Sequence, residues 1–423
     1  MSDLNLAVVG VGRQGRTLID GCLAIPGVRV KAVCDIRPSH LDSAREYLRG
    51  RRQEPCAYAE FGEMLAGEKD LQAVLIATPD GCHADQTVAC LKAGLHVYCE
   101  AEMHHTLEGC RRMVLAARES GRLLQIGRQK RSSPHYRLAL EHIEQKGSVG
   151  RVTHVSGQWR GRIAAPQVAE GQAVPESVLN KHGYRNMEEL ANWRHSPQFS
   201  AGPLATLGNH QIDLFHWFLR GPPRAIVAAG DVGGSPAARI APAICLLEWE
   251  FVREGVPSVV RGDQHVLTSD GGCRTFETVY GDEGVLIIAE NVTFGGIGRE
   301  IQSPETAWET ENATLLSRKI VPRGFEEDLT SGPSADMTIE EEKRPALRDL
   351  DAPWRFYSWQ PSAAELKPAH LLHLENFFDA IRGNAKLTCP AEVAYPTAVT
   401  VLRAAEAMRT RRRLVLAPDE FVV

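Results

Sequence analysis

The sequence predicts an α/β protein with an N-terminal parallel sheet and a second domain built on an open antiparallel sheet. Three observations favour this fold class. Apolar strands alternate with helices through the first third of the chain, and a glycine-rich turn follows the first strand. From about residue 225, strand-like segments follow one another without intervening helices. Alternation is typical of parallel sheets, whereas consecutive strands are typical of antiparallel ones.

Composition narrows the class of protein. The 423 residues are enough for two or three domains, and 43% of them are hydrophobic. Lys and Arg number 48 against 53 Asp and Glu, and the net charge of −5 excludes a strongly basic nucleic-acid-binding protein. The mean hydropathy is −0.23, and no apolar run approaches the roughly 20 residues of a transmembrane helix. The N-terminus has no basic segment or cleavage site, which favours a cytoplasmic protein.

The cysteines and histidines do not indicate a metal site. Ten cysteines are spread along the chain, and no two form a C-x-x-C pair. Without a secretory signal, they indicate reduced, mostly buried thiols rather than disulfides or zinc ligands. His104 and His105 are adjacent, but neighbouring side chains point in different directions on a strand or a helix. We therefore predict no bound metal.

Strands and helices alternate over the first 128 residues. Ser39 and Thr106 are candidate N-caps of two of the helices. The predicted strands are residues 4–10, 28–35, 73–77, 95–100 and 123–127. The predicted helices are residues 13–24, 39–48, a segment after TPD that runs through Lys92, and 106–121. These βαβ units predict a parallel sheet in a first domain, residues 1–128.

The pattern changes in the second domain, residues 129–423. A strand at 151–160 precedes a polar segment, residues 163–193, which we predict to be a long loop. Further strands are predicted at 225–229, 244–251, 258–266, 272–280, 284–289 and 413–417, and helices at 204–219, 370–382 and 394–410. The charged segment 300–360, which contains IEEEKR, is predicted to be a solvated insertion or lid on the surface.

The strongest functional signal is the turn after the first strand. Gly10, Gly12 and Gly15 form a G-x-G-x-x-G that follows a buried strand and opens a helix. Asp35 ends the second strand, 20 residues after the last glycine, the spacing of the acid that binds an adenosine ribose. Its charge favours NAD over NADP, but Arg37, two residues on, can hold a 2′-phosphate or stack on adenine. NADP is therefore not excluded.

A second loop is expected at the same edge of the sheet. Thr78 and Pro79 follow the buried strand 73–77, and the carboxyl ends of parallel strands are where ligands bind in such folds. Asp80 is also a candidate cap of the helix that follows, and the two interpretations are compatible.

These motifs, in this order, resemble the Gfo/Idh/MocA family of sugar-type oxidoreductases. The matching segments are GVGRQG (10–15), CD (34–35), ATPDGCH (77–83), CEAEM (99–103), GRQKRSSP (127–134), GPLATLGNHQIDLFHWFL (202–219) and HLENFFDAIRGN (373–384). The resemblance implies a Rossmann dinucleotide-binding domain and a C-terminal α/β domain whose large open, mostly antiparallel sheet faces the nicotinamide. It adds further candidate coenzyme-binding residues: Arg13, Gln14, His83, Glu100 and Gln129.

The chain departs from the family at two catalytic positions. The family usually carries Glu-Lys-Pro after the strand that corresponds to residues 95–100, with the lysine touching the reactive hydroxyl. This chain has Glu100-Ala101-Glu102 there. The family also places an aspartate four residues before a histidine. Here Thr206 takes the place of the aspartate, and His210 remains. The resemblance therefore leaves His210 as the matched acid/base.

Two residues are candidate partners of His210 in catalysis. Asp213 lies three residues further along the predicted helix and can orient the imidazole, although a packing or capping role is equally plausible. Tyr136 follows the predicted strand at residues 123–127 and can serve as an acid/base if its pKa is lowered.

Arginines and tryptophans in the second domain are candidate substrate contacts. Arginines can clamp an anionic group, and tryptophans can pack against a sugar ring. Surface salt bridges and core packing explain each of them about as well. The candidates are Arg131, Trp159, Arg160, Lys181, Trp193, Arg194 and Asn209.

Three functions remain open on the sequence alone. The first is an NAD(P)-dependent oxidoreductase acting on a sugar, inositol or related polyol. The second is a redox-neutral, NAD-dependent glycoside hydrolase or lyase, which Ala101 favours because such members of the family can lack the lysine. The third is a non-catalytic nucleotide-binding sensor. We expect a small-molecule substrate, no nucleic-acid or membrane partner, and a homo-oligomer, either dimer or tetramer, because an open sheet face needs cover.

Overall fold

The computed structural model describes most of the chain in two domains. The described residues are 3–160, 173–230, 242–253, 256–267, 275–292, 294–300, 304–311, 316–321, 354–359 and 366–423.

Six parallel strands form the sheet of the N-terminal domain. They are β1 (Leu4–Val9), β2 (Val28–Cys34), β3 (Cys56–Tyr58), β4 (Ala73–Ile76), β5 (His96–Cys99) and β6 (Leu124–Ile126). Their order is β3-β2-β1-β4-β5-β6, and each pair of neighbours is parallel. The helices are α1 (Arg13–Ala24), α2 (Pro38–Arg49), α3 (Phe61–Gly67), α4 (Asp80–Lys92) and α5 (Leu107–Ser120). The predicted Rossmann-like class is therefore confirmed.

The ends of two helices test the predicted caps. The Thr106 hydroxyl accepts the Gly109 N–H and caps α5, as predicted. Ser39 does not cap α2, because the helix begins one residue earlier at Pro38, whose fixed φ suits a first helical turn. The short elements β3 and α3 were not predicted.

Ten strands form the sheet of the second domain. They are β7 (Val152–Arg160), β8 (Ala225–Gly230), β9 (Ala243–Arg253), β10 (Val256–Leu267), β11 (Phe276–Gly281), β12 (Gly284–Ala289), β13 (Gly295–Glu300), β14 (Leu316–Val321), β15 (Trp354–Trp359) and β16 (Leu414–Val415). Their order is β14-β15-β13-β12-β11-β7-β10-β9-β8-β16. Among these described strands, β7 and β10 are the one parallel pair. The helices are α6 (Pro134–Glu144), α7 (Glu176–Lys181), α8 (Met187–Ala191), α9 (Asn209–Phe218), α10 (Ala307–Glu311), α11 (Ala369–Ile381) and α12 (Ala391–Thr410).

The two faces of this sheet differ in burial. Leu247 and Trp249 of β9 are buried and share a core with Phe215 of α9. Leu246 directly precedes Leu247 on β9, is 50% exposed, and pairs across the sheet with Val227, which is 41% exposed. Since strand side chains alternate, one face packs against helices and the other is open and partly apolar.

The predicted long loop 163–193 is wrong where the structure describes it; residues 161–172 lie outside the described residues. Residues 173–200, which we call the cap, contain α7, α8 and a 3₁₀ turn at Trp193–His195. The cap has a small apolar core of its own, and this core packs against the N-terminal domain. The cap side chains are Val174, Leu179, Tyr184, Leu190 and Phe199, and they pack against Ile36 and Cys82. The apolar side chains that recur in this polar segment are enough to form the buried face of short helices, and this signal was missed in the sequence analysis.

The predicted surface insertion 300–360 is also wrong in part. Helix α10 and strands β14 and β15 lie within it, and β15 pairs with β13 at the edge of the sheet. Trp308, Tyr357 and Trp359 are buried in the core of the second domain. Alternating aromatic residues in WRFYSW supply the apolar face of a strand, which outweighs the charge of the segment. The IEEEKR stretch lies outside the described residues.

The C-terminal segment packs against both domains. Leu374, Phe377 and Phe378 of α11 are fully buried in a core that they share with β1, β2 and α1. Helix α12 continues through Pro396 and contacts both domains. The predicted division after residue 128 therefore does not describe how this segment packs. No helix of the described residues is long and apolar enough to cross a membrane.

Candidate active site

The glycine turn between β1 and α1 forms the base of a cleft at the carboxyl edge of the first sheet. Gly10 has a φ of +81°, and a Cβ there would lie 2.7 Å from the Ala77 carbonyl carbon. A Cβ on Gly15 would lie 1.8 Å from the Gly10 carbonyl oxygen. Both positions therefore require glycine. Gly12, at the N-cap of α1, has no side chain to occupy the first N–H groups of the helix, which suits a pyrophosphate.

Asp35 lies beside this turn, as its spacing predicts. One carboxylate oxygen accepts the Val11 N–H at 2.9 Å, and the other accepts the Arg37 N–H at 2.8 Å. The His40 ring nitrogen Nδ1 lies 3.1 Å from the first of these oxygens. The Arg37 guanidinium is half-buried near Asp35 and Tyr184, and burial lowers its pKa. The glycine turn, the start of α1 and the acid together fit a bound dinucleotide.

Gln14 and Glu100 connect the start of α1 with the end of β5. The Gln14 amide donates to the Glu100 carboxylate at 2.8 Å. Burial raises the pKa of Glu100 to about 7, although the hydrogen bonds from Gln14 and the Ala101 backbone oppose this shift. Near neutral pH this carboxyl group therefore exists in both protonation states. The peptide bond between Ala101 and Glu102 is cis.

The remaining predicted coenzyme residues are distributed around the same edge. Thr78 and Pro79 are half-buried before α4, and the Thr78 hydroxyl donates to Gln86 at 2.7 Å. Gln129 is half-buried after β6. His83 contacts two backbone carbonyl oxygens, and its role in binding the coenzyme stays a prediction. Its ring is buried, with its nitrogens 2.8 Å from the Thr78 and Glu102 carbonyl oxygens, so it joins two loops.

A buried arginine joins the two domains behind this cleft. The Arg128 guanidinium donates to both carboxylate oxygens of Glu102, at 2.9 and 2.8 Å. It also donates to the side-chain and backbone oxygens of Asn209, at 2.8 and 3.1 Å. One side chain therefore links the residue after Ala101 to the residue before His210.

His210 lies at the start of α9 and remains accessible. It is half-buried, and no described residue forms a hydrogen bond with its ring. Burial and the positive charges of Lys130 and Arg128 lower its pKa to about 4, so the imidazole is neutral at physiological pH. Thr206 lies in a π-helical turn, Leu204–Gly208, and its hydroxyl lies 3.4 Å from that of Ser200. No described carboxylate therefore supports the ring at that position.

Asp213 and Arg131 form an ion pair with each other. Arg131 donates to the two Asp213 carboxylate oxygens at 2.7 and 3.0 Å, and Thr397 donates to the same carboxylate at 3.0 Å. Burial tends to raise the pKa of Asp213, but the charges of Arg131 and Arg128 outweigh it and hold the pKa low. Each therefore satisfies the buried charge of the other, which favours a structural role for both. That Asp213 orients His210 and that Arg131 clamps the substrate stay predictions.

Tyr136 also belongs to a buried cluster. Its hydroxyl donates to Glu277 at 2.9 Å, and the Lys130 ammonium lies 2.5 Å from the same carboxylate. Burial and the Glu277 charge raise the pKa of Tyr136 well above its ordinary value. This direction does not favour the acid/base role of Tyr136, which required a lowered pKa, and the role stays a prediction. Lys130, which sequence reasoning missed, is the nearby cation that acts electrostatically on His210.

Two predicted substrate residues lie at the inner end of the cap. Arg194 stacks on Trp193, with its guanidinium carbon 4.3 Å from the ring centroid. Its Nε is buried without a hydrogen-bond partner among the described residues, and its charge interacts with Asp80 and with Arg13 of α1. The structure thus brings Arg194 close to the start of α1, where we expected only coenzyme residues.

The other substrate candidates do not converge on His210. Lys181 pairs with Glu60 of the N-terminal domain at 2.8 Å, so it fastens the cap. Asn209 is fully buried, with its amide bonded to Arg128 and to the Ala205 carbonyl oxygen. These contacts favour structural roles, and the assignment of Lys181 and Asn209 to the substrate stays a prediction. Trp159 packs partly against the core of the second domain, and Arg160 is exposed at the end of β7.

Sequence reasoning missed Glu102, Arg128 and His40. A weak signal was present for the first two. Each is a charged residue directly after an apolar strand, in loops that adjacent parallel strands bring together, and buried charges must be paired. For His40 the sequence offers no signal, because its contact with Asp35 depends on how α2 packs.

Comparisons with known proteins agree with this geometry. Residues 4–128 match the family model "Oxidoreductase family, NAD-binding Rossmann fold", and residues 137–286 match the model "GFO/IDH/MocA C-terminal domain". The WlbA dehydrogenase of Bordetella pertussis, solved with NADH and UDP-GlcNAcA, has a TM-score of 0.64 at 19% identity and covers 99% of this chain and 100% of its own. This likeness shows the fold.

Curated relatives match only part of the chain. Inositol 2-dehydrogenase of Salmonella typhimurium is 26% identical over 221 residues, 51% of this chain and 54% of that protein. The 1,5-anhydro-D-fructose reductase of Ensifer adhaerens is 29% identical over 233 residues, 53% of this chain and 59% of that protein. The matches thus span little more than half the length of these relatives.

Replacing Glu100 with Gln tests the buried carboxyl group beside the cleft. A folded-state pKa of about 7 against an unfolded value near 4.5 means that the wild type loses stability as pH rises through this interval. Glu100→Gln removes the titration. We expect its free energy of unfolding, relative to wild type, to rise by about 3 kcal/mol between pH 4.5 and pH 7.5. Urea titrations at both pH values measure this. A difference in free energy of unfolding between the two proteins that does not depend on pH would contradict the raised pKa of Glu100.

Proposed function

The chain belongs to the Gfo/Idh/MocA family, and from this premise we propose that it is an NAD(P)-dependent oxidoreductase acting on a sugar, inositol or related polyol. The observation that carries the proposal is the accessible imidazole of His210, which forms no hydrogen bond with a described residue and follows Asn209, the residue that Arg128 joins to the nucleotide edge of the first sheet. When bound, a nicotinamide dinucleotide supplies the hydride acceptor or donor.

In this proposal His210 moves the proton of the reacting hydroxyl. A carbinol that loses hydride must also lose its hydroxyl proton, and a neutral imidazole with a free nitrogen can accept it. The lowered pKa of His210 keeps the ring neutral through the physiological range. In the reverse direction, the imidazolium is a strong acid that gives its proton readily to a carbonyl oxygen.

The substrate class rests on the relatives. The curated relatives are named for inositol and for 1,5-anhydro-D-fructose, both of which are polyhydroxylated rings. A ring of this kind needs hydrogen-bonding groups and apolar faces rather than a charge clamp. Since Arg131 is already paired with Asp213, it does not argue for an anionic substrate. Trp159, half-buried at the end of β7, is the aromatic face that we assign to the substrate.

Ala101 supports a second candidate function, the redox-neutral glycoside hydrolase or lyase. Ala101 has no proton to exchange, and Arg128 is occupied by Glu102 and Asn209. In such chemistry, the ring hydroxyl is oxidised only transiently, and the hydride is returned to the substrate after elimination. His210 would then have to serve both proton transfers alone.

Replacing His210 with Ala tests its role. The protein is incubated with NAD and a panel of inositols, sugars and aryl glycosides, while NADH absorbance and aglycone release are followed. We expect His210→Ala to lower kcat by about 100-fold or more, because general acid–base catalysis typically contributes at least that much. The dissociation constant for NADH should change less than threefold.

The matched control is His370→Ala, because His370 is a half-buried histidine in α11 and lies outside the cleft. Net NADH formation supports the oxidoreductase. Aglycone release without NADH accumulation supports the redox-neutral alternative. Coenzyme binding with neither product supports the sensor. Full activity in His210→Ala would remove His210 from the catalytic assignment.

After burial, the charge of Lys130 is the next contribution to the lowered pKa of His210, and so to the pH dependence of this chemistry. The base form of His210 exists above a pKa of about 4, so kcat/KM for oxidation should show no histidine-dependent fall between pH 8 and pH 5.5. Lys130→Met removes a charge that lowers this pKa, and should move the acid limb of the profile upward by about 1 pH unit, as expected for one nearby charge. Lys130→Arg keeps the charge and should keep the wild-type limb. Identical profiles for all three proteins would contradict the assignment.

We also propose that the chain forms a homo-oligomer through the open face of its second sheet. Leu246 and Val227 are exposed side by side there, and Val259 of β10 is 39% exposed. Exposed apolar side chains on an open sheet face favour association. Light scattering should give a multiple of the 46.5 kDa chain mass, and Leu246→Glu should reduce it to one chain. Leu366→Glu, at an exposed apolar residue outside the sheet, is the control. A monomeric wild type would contradict the proposal.

A further inference from the structure

His40 lies beside the acid expected to bind the adenosine ribose. Its Nδ1 is 3.1 Å from an Asp35 carboxylate oxygen, and its Cε1 would lie 3.4 Å from a Cβ on Gly12. The two side chains are 32% and 10% exposed, so the pair borders the cleft. His40 is therefore positioned between the acid and the glycine turn, where neither motif predicts a histidine.

The hydrogen bonds of Asp35 leave little room for a ribose. An ionised carboxylate has about four acceptor positions. The Val11 N–H, the Arg37 N–H and the His40 ring occupy three of them. Two ribose hydroxyls cannot both be bound by what remains, so a second group must take part in recognising the sugar.

We propose that His40 binds the adenosine ribose together with Asp35, and that its protonation makes the preference between NAD and NADP depend on pH. This inference rests on the proposed dinucleotide function. It goes beyond that function because it assigns coenzyme choice to a residue outside the fingerprint.

The two protonation states of His40 offer different groups to the ribose. In the neutral ring, the carboxylate favours the tautomer whose Nδ1–H donates to Asp35, which leaves Nε2 as an acceptor for a ribose hydroxyl. A 2′-phosphate would then meet two acceptors. In the protonated ring, Nε2–H becomes a charged donor, which suits a phosphate oxygen. Acidification therefore shifts the preference towards NADP.

Other charged groups surround this pair. Arg37 lies on the same loop, Arg13 and Arg16 lie on α1, and Tyr184 approaches Asp35 and Arg37 from the cap. Of the described residues, only Asp35 is within ion-pair distance of His40. The arginines keep their charge over the range in which an imidazole titrates, so they bias the preference without making it depend on pH.

The test measures coenzyme binding rather than activity. Dissociation constants of NADH and NADPH are determined by fluorescence at pH 5.5 and pH 8.5. In the wild type, we expect the ratio of the NADPH constant to the NADH constant to fall about tenfold at the lower pH, the value of one charge-assisted hydrogen bond. In His40→Ala, the same ratio should differ less than threefold between the two pH values. His40→Gln, which hydrogen-bonds without titrating, should keep one preference at both pH values.

The matched control is His265→Ala. His265 forms a similar ion pair with Asp263 at 2.8 Å, and their side chains are 32% and 16% exposed in the second sheet. This variant should keep the wild-type pH dependence. A 2′-phosphate itself loses charge near pH 6, which weakens NADPH binding on acidification, and His40→Ala measures that contribution alone.

The outcomes separate the inference from the function on which it rests. A pH-independent ratio in the wild type, or the same pH dependence in His40→Ala, overturns the role of His40 while leaving the dinucleotide site intact. If neither coenzyme binds at either pH, the proposed function fails, and the inference fails with it.

Discussion

The active site depends on one buried guanidinium. Arg128 has almost no contact with solvent, so its charge must be balanced inside the protein, and Glu102 and Asp213 supply the balance. Buried pairs of this kind contribute little net stability, but removing one partner leaves an uncompensated charge, which is strongly unfavourable. The pairing therefore fixes geometry more than it adds stability. It holds the loop after β5 against the start of α9, and so determines where His210 faces the first sheet.

Glu100 and His210 have pKa values that are inverted from the ordinary order of a carboxyl group and an imidazole. Burial raises the pKa of Glu100 to about 7, while burial and two cations lower that of His210 to about 4. Between these values, the carboxyl group carries a proton and the imidazole does not, so both are uncharged. Two uncharged groups impose a smaller desolvation penalty on a neutral polyhydroxylated ring than two charged groups would. Above pH 7 the carboxylate restores a negative charge beside the Ala101 position.

The parts of the molecule that the sequence predicted are those that depend on local patterns. Buried strands, the glycine turn and the spacing to Asp35 follow from the periods of strand and helix and from the reach of a βαβ unit. The cap and β15 were missed because short elements in polar segments contain too few apolar residues to reveal a period. Their buried face is defined only by the elements that pack against it. The pairing of Arg131 with Asp213 was missed for a similar reason. A charged side chain in a motif can face a ligand or another side chain, and only the tertiary structure decides which.

The path of the C-terminal segment has a consequence for how the chain folds during synthesis. Phe377 and Phe378 of α11 complete the core of a domain whose own strands lie within the first 126 residues. While the ribosome is still producing the second sheet, the core of the N-terminal domain lacks the side chains of α11. Apolar surface is then exposed that can bind chaperones or other nascent chains. The core of the N-terminal domain is therefore completed only after α11 has been translated.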